Sequence, residues 1–205
     1  MATIMDLLGS MVFGGALLLI MLDANGNAIE TQGKYAGDVA VQEALTGVIQ
    51  RVEAEFRNIG FGVADTASSI LSADSTSVTF LTCLDGSGTH IDTVRYWLGS
   101  TSELSATQNE LDRPFYRSQN GAARASVGAV TIFTLKYIDY HKSIIPTPVP
   151  YASLKNIQEV EITVEVQNPV AEFRDQSVVG AGERSALYSS SLWQQTRLAS
   201  QNFKR

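Results

Sequence analysis

Residues Leu7 to Leu22 read LLGSMVFGGALLLIML, sixteen in a row without a charge. As an α-helix this run is about 24 Å long, somewhat short of the ~30 Å hydrocarbon core of a bilayer. Extending it back through Thr3 to Met5 makes it long enough, and brings Asp6 inside it. A secretory signal peptide opens on basic residues, yet the first Lys or Arg is Lys34. A core helix of a globular domain is apolar along one stripe. A helix apolar all round at the end of a chain therefore reads as a membrane or assembly element, and residues 1–22 are taken as that segment.

Asp6 is the informative residue within it. A carboxylate in an apolar helix is costly unless it stays at an interface or finds a partner. Two readings stand. At headgroup level Asp6 caps or complements the positive start of the helix. Inside a bundle it pairs with the α-amine of a neighbouring chain and sets the axial stagger of the helices. Gly9, Gly14 and Gly15 leave room for close helix approach, and Phe13 is a large apolar contact between them.

The pattern changes after Leu22. Asp23 to Asn27 reads DANGN, and Gly33 and Gly37 follow. These residues compete with or weaken a helix, so a break or melted stretch is predicted between Asp23 and Gly37. From Val41 the periodicity is clean. Val41, Leu45, Val48, Ile49, Val52, Phe56 and Ile59 form one helical stripe. Gly60 and Gly62 supply its C-terminal stop. Arg51, Glu53, Glu55 and Arg57 read as a solvated face. Residues 23–62 are thus the amphipathic continuation of the first helix.

Residues 63–205 read as a β-rich head. Ser77 to Cys83 and Ile91 to Leu98 are strand-like, with a turn (LDGSGTH) between them. Leu111 to Ser118 is a further strand, placed at an edge by Pro114. Val127 to Tyr137 is one alternating β-run. Ile157 to Val166 alternates Val160, Ile162, Val164 and Val166 with Glu159, Glu161, Thr163 and Glu165, which predicts one face in the core and one in water. Pro146, Pro148 and Pro150 make a stiff loop, Val178 to Glu183 a flexible one, and Tyr188 to Leu198 a last strand. The fold class is α+β: a long N-terminal helix, apolar then amphipathic, packed on an antiparallel sheet.

Little in the chain suggests catalysis. A formal charge of −6 repels nucleic-acid phosphates, so no nucleic-acid partner is expected. The single cysteine, Cys83, allows no internal disulfide and reads as a small core residue. His90 and His141 have no nucleophile or acid nearby in sequence and read as solvated. Asp85, Ser87, Thr89 and Asp92 gather oxygens around two glycines, but their spacing is not that of an EF-hand and a hairpin turn explains them. No nucleophile elbow, phosphate loop or dinucleotide fingerprint occurs. No enzyme activity, cofactor or metal is expected.

Thr3-Ile4-Met5-Asp6-Leu7-Leu8 resembles the opening of mature type IV pilins, where a Thr-Leu-Ile-Glu-Leu-type segment leads the hydrophobic helix. Val52 to Gly62 (VEAEFRNIGFG) resembles the helix exit of PilW-like minor pilins. SVTFLTCLDGSGTHIDTVRYWL resembles their first hairpin, and Leu111 to Gly121 (LDRPFYRSQNG) their leucine-arginine strand followed by Asn-Gly. A later β-run ending in Tyr137-Ile138-Asp139 fits as well. Each motif is weak alone; their order carries the resemblance.

The resemblance implies a pilin or pseudopilin. Ala2 stands at the mature first position, and Asp6 where the family carries a glutamate one methylene longer. Met1 stands where the family has a glycine and a short basic leader, so the sequence is either a processed or trimmed form or that of a subunit made without such a leader. Its partners would be copies of itself or other pilin-like subunits in a helical filament. Its location would be the inner membrane before assembly, then the cell surface. The alternative is a single-pass membrane-anchored accessory or adhesive protein that never polymerises.

Overall fold

One helix, α1, runs from Ala2 to Arg57. The computed structural model of the chain describes residues 2–64, 68–104, 107, 109–168, 191–199 and 202. The chain divides into two units, Met1–Val39 and Ala40–Arg205.

The first unit is helical throughout its described residues, and this corrects the predicted break. Asp23 to Gly37 is continuous helix. Gly26, Gly33 and Gly37 each cost about 1 kcal/mol relative to Ala. Propagating a helix already nucleated on either side gains one hydrogen bond per residue fixed, and Ala24, Ala28, Gln32 and Ala36 around the glycines favour it. The Thr31 hydroxyl donates to the Asn27 carbonyl at 2.7 Å, so a polar side chain is satisfied by the helix itself.

In the second unit the end of α1 lies in the core. Val41, Leu45, Val48, Ile49, Val52, Phe56 and Ile59 are all 8% exposed or less, the stripe that the sequence periodicity predicts. Phe56 meets Phe80 edge-on at 5.3 Å and Tyr96 at 5.8 Å between ring centroids. The helix stops where expected. Gly60 and Gly62 take φ of +79° and +77°, a region that costs other residues about 1–2 kcal/mol. The Gly60 N–H then donates to the Leu81 carbonyl, and the Cys83 N–H to the Phe61 carbonyl.

Two antiparallel sheets cover the helix stripe. The first holds β1 (Ile70–Ala73), β2 (Ser77–Thr82), β3 (Asp92–Leu98), β4 (Arg113–Gln119) and β5 (Ala125–Val130) in sequential order. The second is ordered β7 (Ile144–Ile145), β6 (Ile132–Ile138), β8 (Glu159–Gln167), β9 (Ser191–Leu198). Their inner faces and the helix stripe form a single apolar cluster. Phe115 of the first sheet meets Phe133 of the second at 4.3 Å.

Three strand expectations change. The strand from Arg113 lies between β3 and β5, not at an edge. Pro114 is tolerated there because it opposes Ala129 beside a register shift at Phe115/Tyr116, where the ladder is already irregular. Val127 to Tyr137 is two strands in different sheets, broken at Thr131, whose N–H donates to the Glu165 carbonyl. The outward face of β8 is not simply wet. Glu161 is buried, because Lys136 and Arg197 stand directly opposite it on β6 and β9 and close over it. The predicted loop Val178 to Glu183 lies outside the described residues. Thr196 of β9 donates to Glu53 of α1 at 2.8 Å, tying the last strand to the first element.

A candidate assembly and anchoring helix

The described side chains of the first unit are exposed almost without exception. Ile4, Met5, Leu7, Leu8, Met11 and Val12 are more than half exposed, Phe13 is 74% exposed, and Leu17 to Leu22 are all above half. Such apolar surface is unfavourable in water by ~25 cal/mol per Å². Its most apolar 18-residue window has a mean hydropathy of 2.1 and buries none of itself within the chain. Among the described residues this is one helix long and apolar enough, by length and composition, to cross a membrane.

The residues singled out in the sequence take these places. Ala2 is the first residue of α1. Asp6 is exposed one turn on. Gly9 is half-buried, Gly14 and Gly15 are exposed, and a Cβ at any of the three would meet nothing within 4 Å. The three glycines therefore mark places where another surface can approach the backbone, and no contact among the described residues explains them. Ser10 lies among them with its hydroxyl donating to the Leu7 carbonyl at 2.8 Å, so it presents no unpaired donor to an apolar medium.

No family model, curated protein or solved structure matches this chain. The chemistry of the helix and its seat must therefore carry the functional reading.

The seat corrects one sequence expectation. Glu53 and Glu55 do not belong to a solvated face. Glu55 accepts from Arg117 Nε through both carboxylate oxygens at 2.9 Å and from the Tyr96 hydroxyl at 2.8 Å. Burial first, and then the Glu55 carboxylate, raise the Tyr96 phenol well above its ordinary value, so it stays a neutral donor. Arg117 is held protonated by the same carboxylate, which outweighs the effect of burial. Helical spacing alone puts Glu55 beside the stripe. The signal that its face is covered is Arg117 directly after the apolar Pro114-Phe115-Tyr116, where a buried cation needs a buried anion.

The remaining candidates resolve into local structure. Cys83 is buried just after β2; its thiol donates to Asp85 Oδ1 at 2.8 Å and accepts the Gly88 N–H at 3.1 Å. That thiol and the Ser87 N–H pull the Asp85 carboxyl down to about 2. Asp92 is buried and accepts from Gln119 and Asn120, which lower its affinity for a proton. These bonds knit the β2–β3 turn to the end of β4. Among the described residues no three His, Cys, Asp or Glu side chains converge as a metal site would require. His90 and His141 are exposed.

Proposed function

We propose that this chain is a structural subunit of a type IV pilus-like or pseudopilus filament, polymerising through its N-terminal helix and carrying no catalytic step. One observation supports the reading above others. The apolar surface from Ile4 to Leu22 is exposed on every side of α1, whereas the apolar stripe from Val41 to Ile59 of the same helical run is buried in a finished core. The head has used its own stripe; the N-terminal segment needs lipid or other chains to cover it. Each Leu, Ile or Phe covered by lipid or by a packed helix bundle is stabilised by about 1.5–3 kcal/mol relative to exposure to water. The monomer would wait in the inner membrane, and the filament would replace lipid contacts by helix–helix contacts, with Gly9, Gly14 and Gly15 at the close approaches. Phe13 would fill space between neighbouring helices.

In such a bundle Asp6 pairs with the terminal amine of a neighbouring chain, at Ala2 once Met1 is removed. Both charges would otherwise lie unpaired in a low dielectric, and breaking a buried pair costs about 3–5 kcal/mol. The decisive experiment separates filament from anchor. Cells expressing the chain are sheared, and the released material is pelleted and imaged. Filaments containing the chain support the proposal. A protein that stays wholly in the membrane fraction under conditions of normal expression is an anchored accessory, and the proposal fails.

A further inference from the structure

The outer face of the five-stranded sheet carries a groove of about 360 Å³, within the size range of small-ligand sites. Cross-strand neighbours build it. Thr79 of β2 opposes Arg95 of β3, and Arg95 opposes Ser118 of β4. Thr93 and Trp97 flank Arg95 on the same face, two residues to either side. Gly121 and Ala122, after β4, add an end wall. The alternate residues Val78, Phe80, Val94 and Tyr96 point the other way and are fully buried, so a close-packed core fixes the floor of the groove.

Its chemistry is unusual for this chain. The molecule is acidic, and Arg117, Arg124 and Arg197 each pair with a carboxylate. Arg95 is exposed, and among the described residues no carboxylate pairs with it. Its guanidinium carbon sits 5.0 Å from the centroid of the Trp97 ring, a cation–π contact that holds the charge in place without neutralising it. Trp97 is itself braced by Tyr116, 5.4 Å away between centroids. Thr79 and Thr93 make no side-chain hydrogen bond among the described residues. Ser118 donates to the Ala122 carbonyl at 2.7 Å and keeps its lone pairs free.

A held cation, three hydroxyls and an indole within one groove match a carboxylated sugar. Its carboxylate suits the guanidinium fork, its hydroxyls the Thr and Ser oxygens, and its C–H groups the indole. An inorganic anion could use Arg95 and the hydroxyls but would leave the indole idle. A neutral sugar would leave the cation unanswered. We propose that this groove binds a uronic-acid unit of an acidic polysaccharide. The site is built by the sheet and the β4–β5 turn and stands independently of the assembly reading.

The test uses the full chain in detergent micelles. The chain has two tryptophans, so Trp193→Phe leaves Trp97 as the sole tryptophan, excited selectively over the tyrosines. Tetragalacturonate is titrated at low ionic strength beside maltotetraose and inorganic phosphate, with calorimetry as a second readout. The expected result is a saturable change in Trp97 emission with tetragalacturonate and a much weaker response to the other two. Arg95→Gln should weaken binding at least about tenfold, the loss of one charge-assisted contact. Thr93→Val, which keeps the side-chain shape and leaves the cation–π pair intact, should weaken it by a few-fold with an unchanged circular dichroism spectrum. No saturation, equal binding by Arg95→Gln in calorimetry, or equal affinity for maltotetraose or phosphate would overturn the proposal.

Discussion

Arg117 Nε lies 2.9 Å from both carboxylate oxygens of Glu55, a pair that bolts α1 to β4 beneath the Tyr96 hydroxyl. The side chains are only 10% and 14% exposed, so water screens the pair little. Glu55→Gln would leave the guanidinium without its anion. The expected loss is about 3 kcal/mol of head stability, read as a lower urea midpoint. Adding Arg117→Met should recover much of it, since the introduced amide oxygen can still accept from Tyr96 and no unpaired charge remains. Equal instability of the single and double variants would show that an unpaired Arg117 charge is not what destabilises Glu55→Gln.

Acid sensitivity should come from Glu161. Hydrogen bonds from Arg197 and then Lys136 hold its carboxyl below the usual range. The unfolded chain, with an ordinary Glu near about 4.3, binds this proton first as pH falls. The stabilisation is thus complete above that value and is lost as pH drops through the lower folded value. Glu161→Gln should lower the urea midpoint at pH 7 and flatten its fall toward about pH 3. Asp112 has the opposite sign. It is buried, its Oδ2 has no hydrogen-bond partner among the described residues, and burial raises its pKa. The folded state therefore protonates first and is penalised above the ordinary Asp range. Asp112→Asn should raise the midpoint at pH 7, and the advantage should shrink on acidification.

Two glycines should respond in opposite directions. A Cβ at Gly60 would sit 2.5 Å from Ser69 Oγ on a backbone with φ of +79°. Gly60→Ala should therefore destabilise the head by more than about 1 kcal/mol. Gly26 lies in continuous helix with nothing within 4 Å of a Cβ. Gly26→Ala should increase helix content and stabilise α1 by about 1 kcal/mol, monitored by far-ultraviolet circular dichroism.

Assembly variants should fail without unfolding. Phe13→Asp would put an unpaired carboxylate in the helix bundle and should remove filaments from sheared material while the head's urea transition stays put. Asp6→Ala should slow or stop assembly yet leave membrane insertion intact or easier, since it removes a charge. Normal filament yield from Asp6→Ala would mean that Asp6 sets no register between chains.

The helix stripe was fully legible because seven apolar residues recur at helical spacing and each meets the same core. The alternation in β2, β3 and β8 was equally plain. What local sequence could not show was the effect of neighbours. DANGN reads as a breaker, but helix on both sides carries it. Val127 to Tyr137 shows unbroken β-propensity, and only the partner strands reveal that Thr131 divides two sheets. Glu55 and Glu161 look like surface charges until Arg117, Lys136 and Arg197 arrive from distant strands. Short strands such as Ile144–Ile145 carry too few residues to show a period. In the groove, Arg95 and Trp97 were visible as strand residues, but their union with Ser118 needed the register of β3 on β4.

The bond from Thr196 to Glu53 joins residues 143 positions apart. At ~5–20 residues per second of synthesis, the helix waits about 7 to 30 s for its last strand to be made. Closing so long a loop also comes late in folding, after the local hairpins of the first sheet have formed. Throughout that interval the Val41–Ile59 stripe is incompletely roofed, while the apolar segment before it has already emerged. The nascent chain thus shows two greasy surfaces at once, and if a membrane takes up the first, as the proposed function requires, only the second is left to be guarded.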